Sequence, residues 1–216
     1  YTFDANTDSA GLIIDLRHRD QVIAAELYQP DEKHLAGYRR SSGWAKDQLI
    51  YFYMEFSIPV QIDTVLSDSI IYSGNSNEIK TFEGRIYTSV KFKLPADHIL
   101  KIKVALSSVS AEGAQKNMKA ELPGWDFTDA RVNAEKKWNN ELSKIEVSGG
   151  SVDQYKIFYT ALYHCMVVPN IYNDVDGSYR GRDFKIYKAR SDYYSVFSLW
   201  DTFRAWHPLM TIIDRK

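Results

Sequence analysis

Gln48-Leu49-Ile50-Tyr51-Phe52-Tyr53-Met54-Glu55-Phe56 is the stretch that decides the fold. It is nearly all apolar or aromatic, and such a strand is buried on both faces or carries aromatics to a second packing partner. Working outward, runs with alternation or β-branched content read as strands over Gly11–Arg17, Gln21–Tyr28, Leu35–Arg40, Gln61–Ser69, Arg85–Leu94 and Leu100–Ser107, with the central strand reaching Ile58. Ser42-Gly43, Ser73-Gly74-Asn75 and Glu83-Gly84 supply turns between them. Short strands at this spacing predict a β-sandwich rather than a βαβ fold.

Beyond Leu122-Pro123-Gly124 the pattern turns helical. Asp126 and Thr128 are both candidate N-caps, and Val132, Lys136, Trp138, Leu142 and Ile145 approximate one stripe among charged residues, ending before Gly149-Gly150. Ser151-Val152-Asp153-Gln154 has the form of a capping box, after which Tyr155, Phe158, Leu162 and Met166 repeat at helical spacing until Pro169. A last helix is expected from about Ser195 through Val196, Leu199, Phe203 and Trp206, interrupted by Pro208. The last two helices are apolar nearly all round, the pattern of helices enclosed by other helices.

The 216 residues suffice for one large domain or two small ones, and at 44% hydrophobic and 25% charged the composition is that of a folded protein. A formal net charge of −1 provides no field for nucleic acid or an acidic membrane surface. No stretch approaches the roughly 20 apolar residues of a membrane span. The single cysteine, Cys165, rules out an intrachain disulfide, and its apolar neighbours favour a buried thiol over a nucleophile. Tyr1-Thr2-Phe3 and the uncapped run before Lys216 suggest that both ends are cut.

Aromatic residues reach 14%, and such rings both fill cores and stack on the C–H faces of sugars. Trp44, in the small-residue turn Ser41-Ser42-Gly43-Trp44-Ala45, is either edge packing or a sugar platform. In Trp200-Asp201-Thr202-Phe203-Arg204, a carboxylate sits in an apolar helix, where burial is costly without a partner. Asp201 either pairs with Arg204, three residues on, or accepts hydrogen bonds from two adjacent sugar hydroxyls beside an aromatic wall. Asp174-Val175-Asp176-Gly177 invites comparison with a calcium loop, but aligning on Gly177 puts Tyr172 first and Asp183 twelfth, so a turn is favoured. His18, His34, His98, His164 and His207 show no metal-ligand spacing, and no pair of carboxylates stands out as a glycosidase acid and base.

Taken together, Phe158-Tyr159-Thr160-Ala161-Leu162-Tyr163-His164, Pro169-Asn170, Asp174 to Gly181 and Tyr194 to Arg204 resemble family 92 of the glycoside hydrolases, and Ile13-Ile14-Asp15-Leu16 with Gly37 to Ala45 resemble its sandwich domain. The resemblance implies a calcium-dependent, inverting exo-α-mannosidase exported by bacteria (secreted, periplasmic or on the cell surface) and acting on mannose-containing glycans. It implies a β-sandwich over 1–123, a linker helix over 124–149 and the first helices of an (α/α)6 barrel over 150–216. By the same resemblance Asp201 holds hydroxyls of a terminal mannose, with Trp200 and Arg204 shaping the pocket and Trp44 a further binding residue. The general acid, general base and calcium ligands are expected outside this chain, which alone is expected to be inactive. The alternatives are another sandwich-plus-(α/α)6 enzyme such as a family 65 phosphorylase, or a non-catalytic carbohydrate-binding module. Helices meant for a ring of neighbours are expected to self-associate when uncovered.

Overall fold

The computed structural model describes residues 1–4, 6–68, 71–73, 81–195 and 198–214. Two antiparallel sheets form the sandwich. One has the order β1 (Ser9–Asp15), β8 (Tyr87–Lys93), β5 (Gln61–Leu66), β6 (Ile71–Ser73); the other has the order β7 (Thr81–Glu83), β2 (Gln21–Asp31), β3 (His34–Ser42), β4 (Gln48–Phe56), β9 (Ile102–Ser107). The expected strands are therefore present, while the short β6 and β7 carry too few residues for an alternation to register. Ser69, Gly74 and Asn75 of the expected strand and turn, and Val196 and Phe197, lie outside the described residues.

The central strand resolves the choice its composition left open. Phe52, Met54 and Phe56 face inward with Leu27 and Leu35 against Ile62, Val65, Val90 and Phe92 of the opposite sheet. Its other face carries Tyr53, which joins Ala36 in packing beneath Ala111, Ala114 and Met118 of α1 (Ala111–Glu121). That helix escaped the sequence reading because its apolar stripe is short and interrupted by Gly113. Its signal was Ser110, whose hydroxyl accepts from the Gly113 N–H at 3.0 Å as an N-cap.

The chain divides into two compact units, Tyr1–Trp125 with Asn173–Arg190, and Asp126–Tyr172 with Ser191–Lys216. Residues 173–190, which the sequence boundaries group with the helices, thus pack with the sandwich. They contain a hairpin, β10 (Ser178–Arg180) and β11 (Ile186–Lys188), in which Tyr179 pairs with Tyr187.

Two attachments hold this segment. The first is the Asp174 carboxylate, buried to 2% exposure, which accepts from the Ser107 hydroxyl at 2.7 Å and from Asn117 Nδ2 at 2.9 Å. Asn117 Oδ1 in turn accepts from the Val175 N–H at 2.9 Å. Gly113 makes room for this cluster, since a Cβ there would lie 2.3 Å from Asp174 Oδ2. The second is Arg180, whose guanidinium donates to the carbonyls of Ser108 (2.8 Å), Val109 (3.0 Å) and Phe184 (2.9 Å).

The other unit contains α2 (Phe127–Leu142), α3 (Val152–Met166), α4 (Leu199–Thr202) and α5 (Trp206–Ile213). Asp126 caps α2 by accepting from the Thr128 and Asp129 N–H groups. Ser151 and Gln154 make the expected capping box on α3, which stops at Met166 as the spacing requires. The expected last helix is instead two pieces. Ala205, at φ +57°, breaks the chain between them, and Pro208 does not interrupt: it lies in the first turn of α5, where a missing N–H costs nothing. Along α3 only Leu162 is buried, while Val152, Ile157 and Tyr163 are exposed; Cys165 is only partly buried. The enclosure expected of these helices is thus not present in this unit.

Candidate functional site

Trp44 belongs to the sandwich unit, and Trp200, Asp201 and Arg204 belong to the helical unit. On the sandwich, Trp44 stands in the β3–β4 turn with 85% of its surface exposed, so the ring is presented and does not serve as edge packing. Hydrogen bonds and an ion pair close the turn beneath it. Gly43 N–H donates to the Ala45 carbonyl at 2.9 Å, and the Arg40 guanidinium grips Asp47 across the base, Nε to Oδ1 at 2.7 Å with a second contact from Nη2 to Oδ2. That pairing holds the Asp47 carboxyl below its usual range and raises Arg40. Gly43 is also a close approach: a Cβ would sit 2.5 Å from Asp20 Oδ1.

On the helical unit, Trp200, Asp201 and Arg204 occupy α4 and the turn after it. Trp200 is 82% exposed, and Asp201 and Arg204 are exposed as well. The structural alternative for Asp201 fails here. Its carboxylate pairs with no cation among the described residues, and the Arg204 guanidinium lies instead 5.5 Å from the Phe203 ring centroid. Nor is Asp201 sunk among the aromatic rings, contrary to the burial that its apolar neighbours suggested. The short length of α4 is the reason: one turn ending at Thr202 leaves no face to enclose. Next to it, Trp206 Nε1 donates to the Cys165 carbonyl at 2.6 Å, which fixes α5 against α3. An exposed carboxylate with unused oxygen lone pairs, beside an exposed indole, is able to accept two vicinal hydroxyls.

Nothing in the Asp174–Gly177 turn fits a calcium ion. Asp174 is satisfied by Ser107 and Asn117, and Asp176 is taken by Lys116 at 3.2 Å and Lys188 at 3.1 Å. Among the described residues no group of three His, Cys, Asp or Glu side chains could hold a metal. No helix is long and apolar enough to cross a membrane among them. The residues that sequence reasoning missed are Arg40 and Asp47, which fix Trp44; their signal was an arginine and a carboxylate flanking a glycine turn.

Comparison with known proteins supplies the context. The Glycosyl hydrolase family 92 N-terminal domain matches residues 1–107, and the Glycosyl hydrolase family 92 catalytic domain matches residues 113–216. No curated protein matches the sequence. A solved family GH92 α-mannosidase from Bacteroides thetaiotaomicron aligns at 31% identity and TM-score 0.83 over 94% of this chain and 28% of its own; its complex with mannoimidazole aligns equally well. A family GH92 inverting mannosidase from Bacteroides thetaiotaomicron VPI-5482 aligns at 27% identity and TM-score 0.79, covering 95% of this chain and 28% of the other. The gh92 family glycosyl hydrolase ccman5, at 21% identity and TM-score 0.87 over 100% of this chain and 29% of its own, shares the fold. Sheet domain first and helices after, the molecule is of the glycoside hydrolase class. It belongs to glycosyl hydrolase family 92, and the chain spans somewhat over a quarter of the length of its solved relatives.

Proposed function

We propose that the whole protein is an exo-acting α-mannosidase that removes terminal α-mannose from glycans or mannans with inversion of configuration. The observation that carries this reading is the match to both family 92 domains, joined to 31% identity with a solved α-mannosidase whose mannoimidazole complex is known. Family membership removes the family 65 alternative. In the proposed site Asp201 accepts hydrogen bonds from adjacent mannose hydroxyls, with Trp200 and Arg204 shaping that pocket; Trp44 is proposed separately as a sugar-binding residue of the sandwich unit.

The general acid and base are assigned to parts of the whole protein not contained in these residues, which span somewhat over a quarter of the length of the solved relatives. Calcium dependence, export from a bacterial cell and self-association of the uncovered helices belong to the same proposal. The calcium ligands are likewise assigned elsewhere, and no step is derived through the ion.

The test is hydrolysis of an α-mannoside by the whole protein, with anomeric configuration followed by proton NMR and with calcium chelated in a parallel reaction. Release of β-mannose, lost on chelation, is the expected result. Turnover by the 216-residue chain alone would refute the assignment of the catalytic groups elsewhere.

A further inference from the structure

Arg19 and Asp20 stand in succession in the left-handed region, at φ +55° and +51°, where a residue with a Cβ is strained. They end the connection that carries the chain from β1 in one sheet to β2 in the other. Both residues are exposed, so burial does not hold them there. Backbone of this kind persists where surrounding structure over-determines it.

Arg39 supplies that constraint. Its Nε donates to the Leu16 carbonyl at 2.9 Å, and its Nη2 donates to the carbonyls of His18 at 3.1 Å and Arg19 at 2.5 Å. Nη1 donates to the hydroxyl of the buried Ser41 at 3.0 Å. All four acceptors are neutral, so what the guanidinium contributes is the geometry of its fork. The bend it grips lies against the Trp44 turn. Gln21 pairs with Ser42 at the end of the β2–β3 ladder, which makes Asp20 and Gly43 the next residues on each side. Gly43 meets the Asp20 carboxylate so closely that a Cβ would fall 2.5 Å from Oδ1. Arg39 and Arg40, consecutive in β3, point to opposite faces of the sheet. Arg40 closes the Trp44 turn through Asp47, and Arg39 holds the bend that this turn rests against.

We propose that Arg39 is a positioning residue for sugar binding at Trp44: by clamping the Arg19–Asp20 bend against Gly43, it sets the direction in which the indole is presented. This role rests on Trp44 being a sugar-binding residue, as proposed above, and adds the device that aims it. A ring held in place before the sugar arrives binds without the cost of ordering it. A platform of this kind touches the ground state and the transition state alike, so its misplacement appears in KM and not in kcat.

The test is a double-mutant cycle in the whole protein, on the α-mannobiose isomer that it cleaves fastest. Trp44→Ala and Arg39→Lys are each expected to raise KM about fivefold with kcat held within about twofold, since a lysine keeps the charge but has no fork to span three carbonyls. The double variant is expected to match Trp44→Ala within about twofold, because a bend that only aims the ring then has nothing to aim. Asp20→Gly separates aiming from folding. Glycine adopts the left-handed backbone freely and lacks the carboxylate, so KM should rise about threefold with the melting temperature unchanged or raised. An unchanged KM in either Arg39→Lys or Asp20→Gly, or multiplying effects in the double variant, would overturn the positioning role and leave Trp44 in the site. An unchanged KM in Trp44→Ala removes Trp44 from sugar binding, and the positioning role with it. Failure of the mannosidase reading shows separately, as absence of turnover by the unaltered protein.

Discussion

Asn117 and Asp174, 57 residues apart in sequence, meet at 2.9 Å inside the sandwich unit, Nδ2 donating to Oδ1. Asn117 uses its remaining polar atoms too, donating to the Leu106 carbonyl at 2.9 Å and accepting from the Val175 N–H. One asparagine on α1 therefore fixes the end of β9 and the turn that carries the hairpin. A buried carboxylate served by neutral donors is stable only while those donors stay in place.

Removing that carboxylate should be costly. Asp174→Ala strands the Ser107 hydroxyl and one Asn117 N–H, and is expected to destabilise the chain by about 2 kcal/mol in urea unfolding. Asp174→Asn should cost less, because its carbonyl keeps one of the two donors. Equal stability of the alanine variant and the unaltered chain would contradict the attachment.

Gly113→Ala sets helix propensity against packing. Alanine in a helix interior is favoured over glycine by about 1 kcal/mol. Here its Cβ would fall 2.3 Å from Asp174 Oδ2 and 2.7 Å from Ser107 Oγ. The expected outcome is a lower melting temperature and weaker hydrogen-exchange protection of the Val175 amide; a rise in melting temperature would show that the cluster has slack.

Acid should loosen the hairpin through Asp176. The hydroxyl and N–H of Ser178, then Lys188 and Lys116, favour its ionised form and hold its pKa well below the unfolded value of about 3.9. A depressed carboxyl contributes stability above the unfolded pKa and loses it as pH falls through the folded one. Exchange of the Ser178 amide is therefore expected to quicken, relative to intrinsic rates, as pH drops below about 4. Asp176→Asn should remove that pH dependence, and an unaltered profile in the variant would assign the effect to other groups.

Asp201 should matter for activity and not for folding. Its carboxylate has no partner among the described residues, so Asp201→Asn is expected to shift the stability of this chain by under about 0.5 kcal/mol. In the whole protein the same change should lower kcat/KM on α-mannosides by about tenfold or more, the worth of a hydrogen bond to a charged group. A stability loss with intact kcat/KM would return Asp201 to a structural role.

Local chemistry and periodicity carried much of the fold into the sequence. Alternation marked the strands whose inward faces form the core, and the helix caps at Asp126 and Ser151 were legible because capping is settled within four residues. The β10–β11 hairpin and α1 were not legible: each is short, Ile186 and Tyr187 of the hairpin stay exposed, and the apolar residues of α1 meet Ala36 and Tyr53 of strands distant in sequence. At the site, Trp44 stood between edge packing and a sugar platform and Trp200 came from the resemblance, because whether a ring is presented or packed is a property of neighbours distant in sequence.

What the sequence determined alone was the order of sheet and helix, the starts of α2 and α3, and the residue types able to hold a sugar. Each follows from interactions between residues a few positions apart, which the chain specifies before it folds. Tertiary structure decided that 173–190 joins the sandwich, that Arg40 pairs with Asp47 beneath the Trp44 turn, and that Asp201 has no ion-pair partner among the described residues. Those outcomes depend on long-range hydrogen bonds and steric fit, which exist only once distant segments have been brought within a few ångströms.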